Sequence, residues 1–272
     1  MERILLVTVL ALVIVFLFAS CGGGGDSGRV DVSGSTSVLP YMEMLAVEYM
    51  QQTGKIVQVG GGGSSAGISN VGSGVSNIGM SSRNLSADEE ASFQVYEIAR
   101  DGLAIIVHPD NPVSDLSIQQ IRDIYAERIT DWAEFGGNPG NITLVTRENG
   151  SGTRDAFEEL VMGGRDGDSI SSRATVQNSN GVIKATVSDN RNSIGFVSLG
   201  ITVNDTAIKA LRIDGVEPSV ANIRNYEYEL FRKFFIVTQR QDVSEETTAF
   251  INYILSGGQD VLEEEGLVRV AG

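Results

Sequence analysis

A short apolar strand that leads into a turn rich in Ser, Thr and Gly, and then into a helix, occurs three times in this chain. The turns have the sequences GSTSV (34–38), GGGSSAG (61–67) and RENGSGTR (147–154). Alternating strands and helices predict an α/β fold with mainly parallel sheets. In such sheets ligands bind at the carboxyl ends of the strands, where these turns collect. Three turns that converge there would form a pocket.

Hydrophobic periodicity and capping signals give the other elements. Ser86 with Glu89, and Ser117 with Gln120, match the capping box that opens a helix. The helix after the first turn, with Ser35, Thr36 and Ser37 as cap candidates, is predicted to bury Val38, Tyr41, Met42, Leu45 and Tyr49. Strands are predicted at 29–33, 55–59, 78–80, 102–107, 142–146, 193–197 and 234–238, and further helices at 66–75, 155–162 and 244–255.

The three turns carry groups that bind oxyanions. The first N–H groups of a helix have no partner within it, and the helix dipole places partial positive charge there. Ser and Thr hydroxyls add donors, and Gly lets the backbone approach a ligand closely. RENGSGTR also contains Arg147 and Arg154, whose planar guanidinium groups match two oxygens of a tetrahedral anion. Taken alone, GSTSV also fits an ordinary N-cap, and residues 60–63 also fit a flexible loop.

Charge and cysteine content exclude several classes of function. The 272 residues include 35 acidic and 20 basic side chains, and this balance argues against a nucleic-acid partner. Cys21 is the only cysteine, so the chain forms no internal disulfide and no structural metal site of the cysteine type. We expect no cofactor, no metal, and a monomer whose fold is held by its hydrophobic core.

The first 28 residues are typical of an exported lipoprotein. Arg3 precedes an uncharged apolar run at 4–18, which is shorter than the roughly 20 residues of a membrane-spanning helix. Residues 1–20 are therefore predicted to be a signal peptide, with a one-pass anchor as the alternative. The sequence FAS before Cys21 resembles a bacterial lipobox, which implies cleavage before Cys21 and lipid on its sulfur. Residues 21–28 (CGGGGDSG) predict a flexible tether.

A series of motifs resembles the PstS family, the phosphate-binding components of bacterial ABC importers. The motifs span nearly the whole chain after the tether and are GSTSVLP (34–40), GGGSSAGI (61–68), IGMSSRNL (78–85), DGLAIIVHPDNPV (101–113), IRDIYAERITDW (121–132), RENGSGTR (147–154) and SIGFVSLG (193–200). The resemblance implies a type II periplasmic-binding-protein fold, in which two α/β lobes enclose a ligand cleft. Residues 29–101 and 233–272 would form lobe I and residues 102–232 lobe II, joined by hinge segments near 100–102 and 229–233.

The resemblance also implies which residues bind the ligand. The expected phosphate-binding residues are Ser35, Thr36, Ser37, Ser64 or Ser65 from lobe I, and Arg147, Ser151, Gly152 and Thr153 from lobe II. One position departs from the family, because Ser82 stands near the place of an Asp that accepts the proton of hydrogen phosphate. A serine accepts a hydrogen bond but does not repel fully ionised sulfate, so sulfate is the alternative ligand. Arg83, beside Ser82, is expected to form a surface or interdomain ion pair.

The function that the resemblance implies is that of a lipid-anchored receptor. It would capture inorganic phosphate and deliver it to the membrane subunits of an ABC permease, and it would not be an enzyme. It would lie in the cell envelope, on the outer side of the cytoplasmic membrane or in the periplasm.

Three other functions stay open at this point. Residues 63–67 match the nucleophile elbow G-x-S-x-G, and His108 with Asp88 or Asp101 would complete a hydrolase triad around Ser65. Residues 61–66 match the dinucleotide motif G-x-G-x-x-A. Both motifs are short, and a single histidine is more often structural than catalytic. The third alternative is an adhesion or signalling lipoprotein that keeps the fold without transport.

Overall fold

A computed structural model of the chain describes residues 28–270. The predicted signal peptide at 1–20, the proposed lipidation site Cys21 and the tether up to residue 27 lie outside the described residues, as do residues 271–272. The strands are β1 Arg29–Gly34, β2 Ile56–Gly61, β3 Ile78–Ser81, β4 Phe93–Val107, β5 Asp115–Leu116, β6 Thr143–Arg147, β7 Thr175–Gln177, β8 Ser193–Ser198, β9 Lys209–Ala210, β10 Arg212–Ile213, β11 Phe231–Gln239 and β12 Val268–Arg269.

Helices alternate with most of these strands. The α-helices are α1 Leu39–Thr53, α2 Ser64–Gly72, α3 Ala87–Ser92, α4 Ile118–Tyr125, α5 Gly152–Leu160, α6 Asn180–Asp189, α7 Val220–Arg224, α8 Glu245–Leu255 and α9 Gly258–Glu264. Short 3-10 helices occupy Trp132–Phe135, Gly164–Asp166 and Leu199–Thr202. Within 28–270, no helix is long and apolar enough to cross a membrane.

One sheet runs through the molecule in the order β2-β1-β3-β11-β4-β8-β6-β7. The strands at its two ends are parallel, namely β2-β1-β3 and β8-β6-β7. The middle of the sheet is antiparallel, because β4 and β11 carry the chain between the two ends in opposite directions. The α/β prediction is therefore confirmed, whereas the prediction of mainly parallel sheets is wrong for the central strands.

Among residues 28–270, two large apolar cores lie on either side of these crossing strands, beside a small third cluster of Ile68, Val71, Leu85 and Val237. One core is built from side chains within 30–99 and 234–267. The other is built from side chains within 103–230, together with Val268. The boundary between the two large cores lies where β4 and β11 pair, at residues 100–102 and 231–233. The predicted lobe boundaries stay a prediction, and this division of the core supports them.

Several element ends differ from the sequence prediction for identifiable reasons. The helix predicted at 155–162 begins at Gly152, because Ser151 caps it by accepting from Arg154 N. The helix predicted at 66–75 begins at Ser64. The first half of β4 was not predicted, because residues 93–101 are fixed by pairing with β11, some 130 positions further along the chain. The capping boxes at Ser86 and Ser117 are confirmed.

Candidate functional site

The first turn places its hydroxyl groups inside the molecule. Gly34 has a φ of 139°, and a Cβ there would collide with the backbone of β3 at Met80, so only glycine fits this close approach. Ser35 Oγ accepts from Ser37 N at 3.2 Å and from Val38 N at 3.4 Å. The N-cap of α1 is Val38, which has no side-chain cap bond. Ser35 nevertheless caps the turn that leads into α1, because its carbonyl oxygen also accepts from Leu39 N at 3.0 Å, so the predicted serine cap is confirmed at Ser35.

The second turn is joined to the first by a chain of hydroxyl groups. Ser64 begins α2, and its Oγ accepts from Ser82 N at 3.1 Å. Ser82 Oγ lies 3.4 Å from Ser64 Oγ and accepts from Ser35 Oγ at 2.8 Å. All three side chains are buried. The loop after β3, where Ser82 stands, thus lies between the two turns.

The third turn comes from the other lobe and packs on the first two. Thr153 Oγ1 is 2.8 Å from Ser37 Oγ, and Gly150 O accepts from Ser65 N at 3.2 Å. A Cβ at Gly152 would collide with Ser64 Oγ and would lie 2.8 Å from Ser82 Oγ. The three predicted turns therefore converge.

The remaining predicted residues sit at the edge of this cluster. Thr36 is half-buried, and its Oγ1 accepts from Asn180 Nδ2 at 3.3 Å. Ser65 is half-buried, and its Oγ accepts from Arg83 Nη2 at 3.4 Å. Ser151 is buried and caps α5.

The two arginines of RENGSGTR have different environments. Arg147 is 1% exposed, and its Nε and Nη2 donate to the Glu148 carboxylate, each at 2.8 Å. Its Nη1 is buried without a hydrogen-bond partner. Arg154 instead pairs with Glu158 on its own helix and donates to the carbonyl of Arg147. Of these two arginines, Arg147 is the one that combines burial with an unpaired donor.

Sequence reasoning missed a buried ion pair that borders the cluster. Asp101 on β4 pairs with Arg232 on β11 at 3.1 Å, and Arg232 Nη2 also donates to Ser37 Oγ at 2.9 Å. Ser198 Oγ donates to Asp101 Oδ1 at 2.9 Å. Burial raises the pKa of Asp101 to about 6, although Arg232 and Ser198 both oppose the rise. A charged residue inside each of the runs RDGLAIIV and FRKFFIV was the available signal.

Asn180 is a second residue that sequence reasoning missed. It begins α6 and is buried. Its Nδ2 donates to Ser37 Oγ at 2.9 Å, and its Oδ1 accepts from Ser198 N at 3.2 Å. Asn180 therefore links the first turn to lobe II, as Thr153 does.

Arg83 forms one ion pair within predicted lobe I and one across the predicted lobe boundary. Its guanidinium donates to both carboxylate oxygens of Glu89 at 2.8 Å, and its Nε lies 3.1 Å from Asp155 Oδ2 on α5. Next to it, Asn84 Nδ2 donates to Glu159 Oε1 at 3.3 Å, also on α5. Arg83 is thus an ion-pairing residue, as the sequence predicted.

The chemistry of the cluster suits an anion held by hydrogen bonds. Its buried groups are hydroxyls, helix-start amides and the Arg147 guanidinium, and such donors bind oxyanions at helix N-termini. Among the described residues, no group of three or more His, Cys, Asp or Glu side chains is arranged to hold a metal ion. His108 Nδ1 accepts from Asp110 N within its own loop, while Ser65 contacts Arg83, so the triad partners bond elsewhere.

Comparison with known proteins identifies the family to which this chain belongs. The PBP superfamily domain matches residues 20–257. The phosphate-binding protein PstS of Bacillus subtilis (strain 168) is 27% identical over 248 residues, which cover 84% of this chain and 80% of that protein. The chain belongs to the PBP superfamily, whose fold places the converging turns between two lobes.

Solved structures of phosphate-transport proteins are similar to this chain over most of its length. A putative phosphate ABC transporter substrate-binding protein from Clostridium perfringens, solved with bound phosphate, has a TM-score of 0.84 and 41% identity, covering 89% of this chain and all of that one. An ABC-type phosphate transport receptor from Vibrio cholerae has a TM-score of 0.72 and 38% identity over the same shares. The resemblance to PstS proteins is therefore confirmed. The family consists of substrate-binding proteins, so the hydrolase and dinucleotide alternatives are dropped.

Proposed function

We propose that this chain captures inorganic phosphate outside the cytoplasm and delivers it to an ABC permease. The observation that carries the proposal is the convergence of the three turns, the third of which begins at Arg147, whose buried Nη1 lacks an acceptor among the described residues. A buried charged donor without a partner is costly, and an oxyanion between the turns satisfies it. The relatives with phosphate in their printed names support phosphate as the ion.

Closure of two lobes on the anion is the proposed mechanism. Lobe I (29–101 and 233–272) supplies Ser35, Thr36 and Ser37, with Ser64, Ser65 and Ser82. Lobe II (102–232) supplies Arg147, Ser151, Gly152 and Thr153. Each charge-assisted hydrogen bond contributes roughly 1.5–3 kcal/mol net, and micromolar affinity needs about 8 kcal/mol. The donors of the two lobes together are therefore sufficient without a metal, after the cost of association.

The amino-terminal segment supports a location of the protein outside the cytoplasm. Substrate-binding proteins of ABC importers work outside the cytoplasm, and residues 1–20 carry the features of an export signal. We propose that lipid on Cys21 holds the protein at the membrane, with residues 21–28 as the tether. The permease subunits are the proposed protein partner, and the receptor acts as a monomer.

Sulfate is the second candidate ligand because of Ser82. Among residues 28–270, Ser82 Oγ bonds only to the hydroxyl groups of Ser35 and Ser64, where the resemblance to the PstS family implies a carboxylate. A hydroxyl donates to sulfate as readily as to phosphate, so this position does not reject sulfate by charge. Calorimetric titration with both ions distinguishes the two ligands. Phosphate binding weaker than about millimolar would favour an adhesion or signalling role over uptake.

Arg147 provides the test of the site. Arg147→Ala should weaken phosphate binding by several kcal/mol, at least about 100-fold, because it leaves the charge of a buried anion unanswered. The control is Arg165→Ala, because Arg165 is exposed on the surface of the same predicted lobe. Titration calorimetry with inorganic phosphate measures both variants, and equal effects from the two would contradict the site assignment.

A further inference from the structure

Two arginines at the converging turns keep a buried nitrogen without a hydrogen-bond partner. Within residues 28–270, Nη1 of Arg147 and Nη1 of Arg232 are both shielded from solvent and lack an acceptor. Buried charged donors are almost always hydrogen-bonded, because leaving one unpaired costs more free energy than leaving a neutral group unpaired. Arg232 contacts Ser37 in the first turn and Arg147 begins the third turn, and no described residue supplies an acceptor for either Nη1.

Arg232 reaches the cluster from the crossing strands. It lies on β11 directly opposite Asp101 on β4. Its Nε and Nη2 donate to Asp101 Oδ2 at 3.2 and 3.1 Å, and Nη2 also donates to Ser37 Oγ at 2.9 Å. The side chain is 4% exposed, so these bonds are made away from water. A guanidinium carried by the hinge thus contacts the first turn directly.

This contact fixes the direction of the hydrogen bonds where the lobes meet. Ser37 Oγ accepts from Arg232 and from Asn180, which uses both of its lone pairs. Its own proton must therefore point to Thr153 Oγ1, 2.8 Å away. Thr153, at the start of α5, accepts that bond and is left with its own proton to donate. Arg232 therefore helps to make both hydroxyl groups donors.

The positive charges of Arg147 and Arg232 also repel each other. Burial lowers the pKa of Arg232 from its usual value, Asp101 opposes this shift, and the positive charge of Arg147 lowers the pKa further. Each arginine has one carboxylate partner, Glu148 for Arg147 and Asp101 for Arg232. An anion with more than one negative charge, placed between the arginines, relieves their repulsion.

We propose that Arg232 is a second phosphate-binding arginine, held by Asp101 and acting with Arg147 on one tetrahedral oxyanion. This proposal deepens the function proposed above and rests on it. Arg232 supplies positive charge and, by directing the Ser37 proton to Thr153, leaves the Thr153 proton free to donate to the anion. Asp101 is a positioning residue, since its two oxygens are taken by Arg232 and Ser198.

The test compares two variants that differ only at position 232. Asp101→Asn keeps the guanidinium, and the double variant Asp101→Asn/Arg232→Gln removes it without leaving an unpaired buried charge. Both are titrated with inorganic phosphate by calorimetry at neutral pH. We expect the double variant to bind phosphate at least about tenfold more weakly than Asp101→Asn, because it loses a buried charged donor. A smaller difference overturns the proposal.

A neighbouring charge on the same strand is the matched control. Lys233 is partly exposed and pairs with Glu97 at 2.7 Å. Lys233→Gln in the Asp101→Asn background should change the phosphate affinity by less than about twofold, as expected for a screened surface charge. A loss equal to that of Arg232→Gln would assign the effect to the overall charge of the hinge and overturn the proposal.

Two further measurements separate binding from folding. Thermal unfolding without phosphate reports the stability of each variant, and a lower unfolding temperature with unchanged affinity would mean a structural role and overturn the proposal. If the double variant does not fold, Arg232→Lys replaces it, since lysine keeps the charge but not the planar fork. A loss of at least about fivefold then supports the proposal, and a smaller loss overturns it. Failure of the unaltered chain to bind phosphate would overturn the proposed function itself.

Discussion

At Gly152 the third turn packs on two hydroxyl groups of lobe I. A Cβ there would collide with Ser64 Oγ and approach Ser82 Oγ to 2.8 Å. Both serines are buried, and the added carbon would force at least one of their side chains to shift. The absence of a side chain at this position is therefore a condition for the lobes to meet.

Gly152→Ala should hold the lobes apart and weaken phosphate binding at least about tenfold. The stability of the ligand-free chain should not fall, because alanine is a better helix residue than glycine. Calorimetry gives the affinity and thermal unfolding gives the stability. Gly181→Ala is the matched control, because it also lies in the first turn of a helix and a Cβ there meets nothing within 4 Å. Wild-type affinity in Gly152→Ala would show that the turns are not in contact in the bound state.

The site residues that could be predicted from the sequence are those whose role depends on their neighbours in the chain. Ser37 stands in the turn before α1 and Thr153 in the first turn of α5, so their chemistry could be predicted from their neighbours in the chain. Asp101 and Arg232 stand in strands that pair across 131 positions. Because that register depends on the whole sheet, no local pattern indicates that their charges neutralise each other.

Helix α5 has two functions at the scale of secondary structure. Its first turn carries Thr153 to the anion site, while its outer face carries Asp155 and Glu159 to Arg83 and Asn84 of lobe I. The outer contacts involve partly exposed side chains, so each contributes only about 0.5–1 kcal/mol. We predict that these contacts slow the opening of the lobes without determining which ion binds, and we call them the latch.

Asp155→Asn should therefore speed phosphate release by about two- to fivefold and leave the choice of ion unchanged. Stopped-flow measurement of release at low and high salt checks this, and the difference from the unaltered chain should shrink at high salt. Asp168→Asn is the control, because Asp168 pairs with Arg128 within the same lobe. A release rate for Asp155→Asn equal to that of the control would rule out the latch.

Only the second half of the long strand β4 could be predicted from the sequence. Its apolar second half, residues 102–107, was predicted from composition alone. Most of residues 93–100 are only partly buried, and this first half is held by pairing with β11. A strand that is buried on both faces appears in the sequence as a continuous apolar run, whereas pairing with a distant strand leaves no local pattern.

At the scale of the whole molecule, one sheet passes through both lobes and the site lies beside its crossing strands. The cores differ on the two sides of residues 101 and 232, while the turns of both sides meet at Ser37 and Thr153. Opening the cleft must therefore break the contacts between the turns and bend the paired strands β4 and β11. An anion held by both lobes stabilises the closed arrangement by its greater affinity for it.

The central claim is that one tetrahedral anion contacts both lobes at once. Arsenate is a tetrahedral oxyanion whose heavy atom gives an anomalous X-ray signal, so its position in a crystal of the mature chain can be located independently of the protein density. We predict one arsenic peak within hydrogen-bonding reach, through its oxygens, of Arg147 and Thr153 in lobe II and of the first turn in lobe I. A peak against one lobe only, or away from Arg147, would contradict the account.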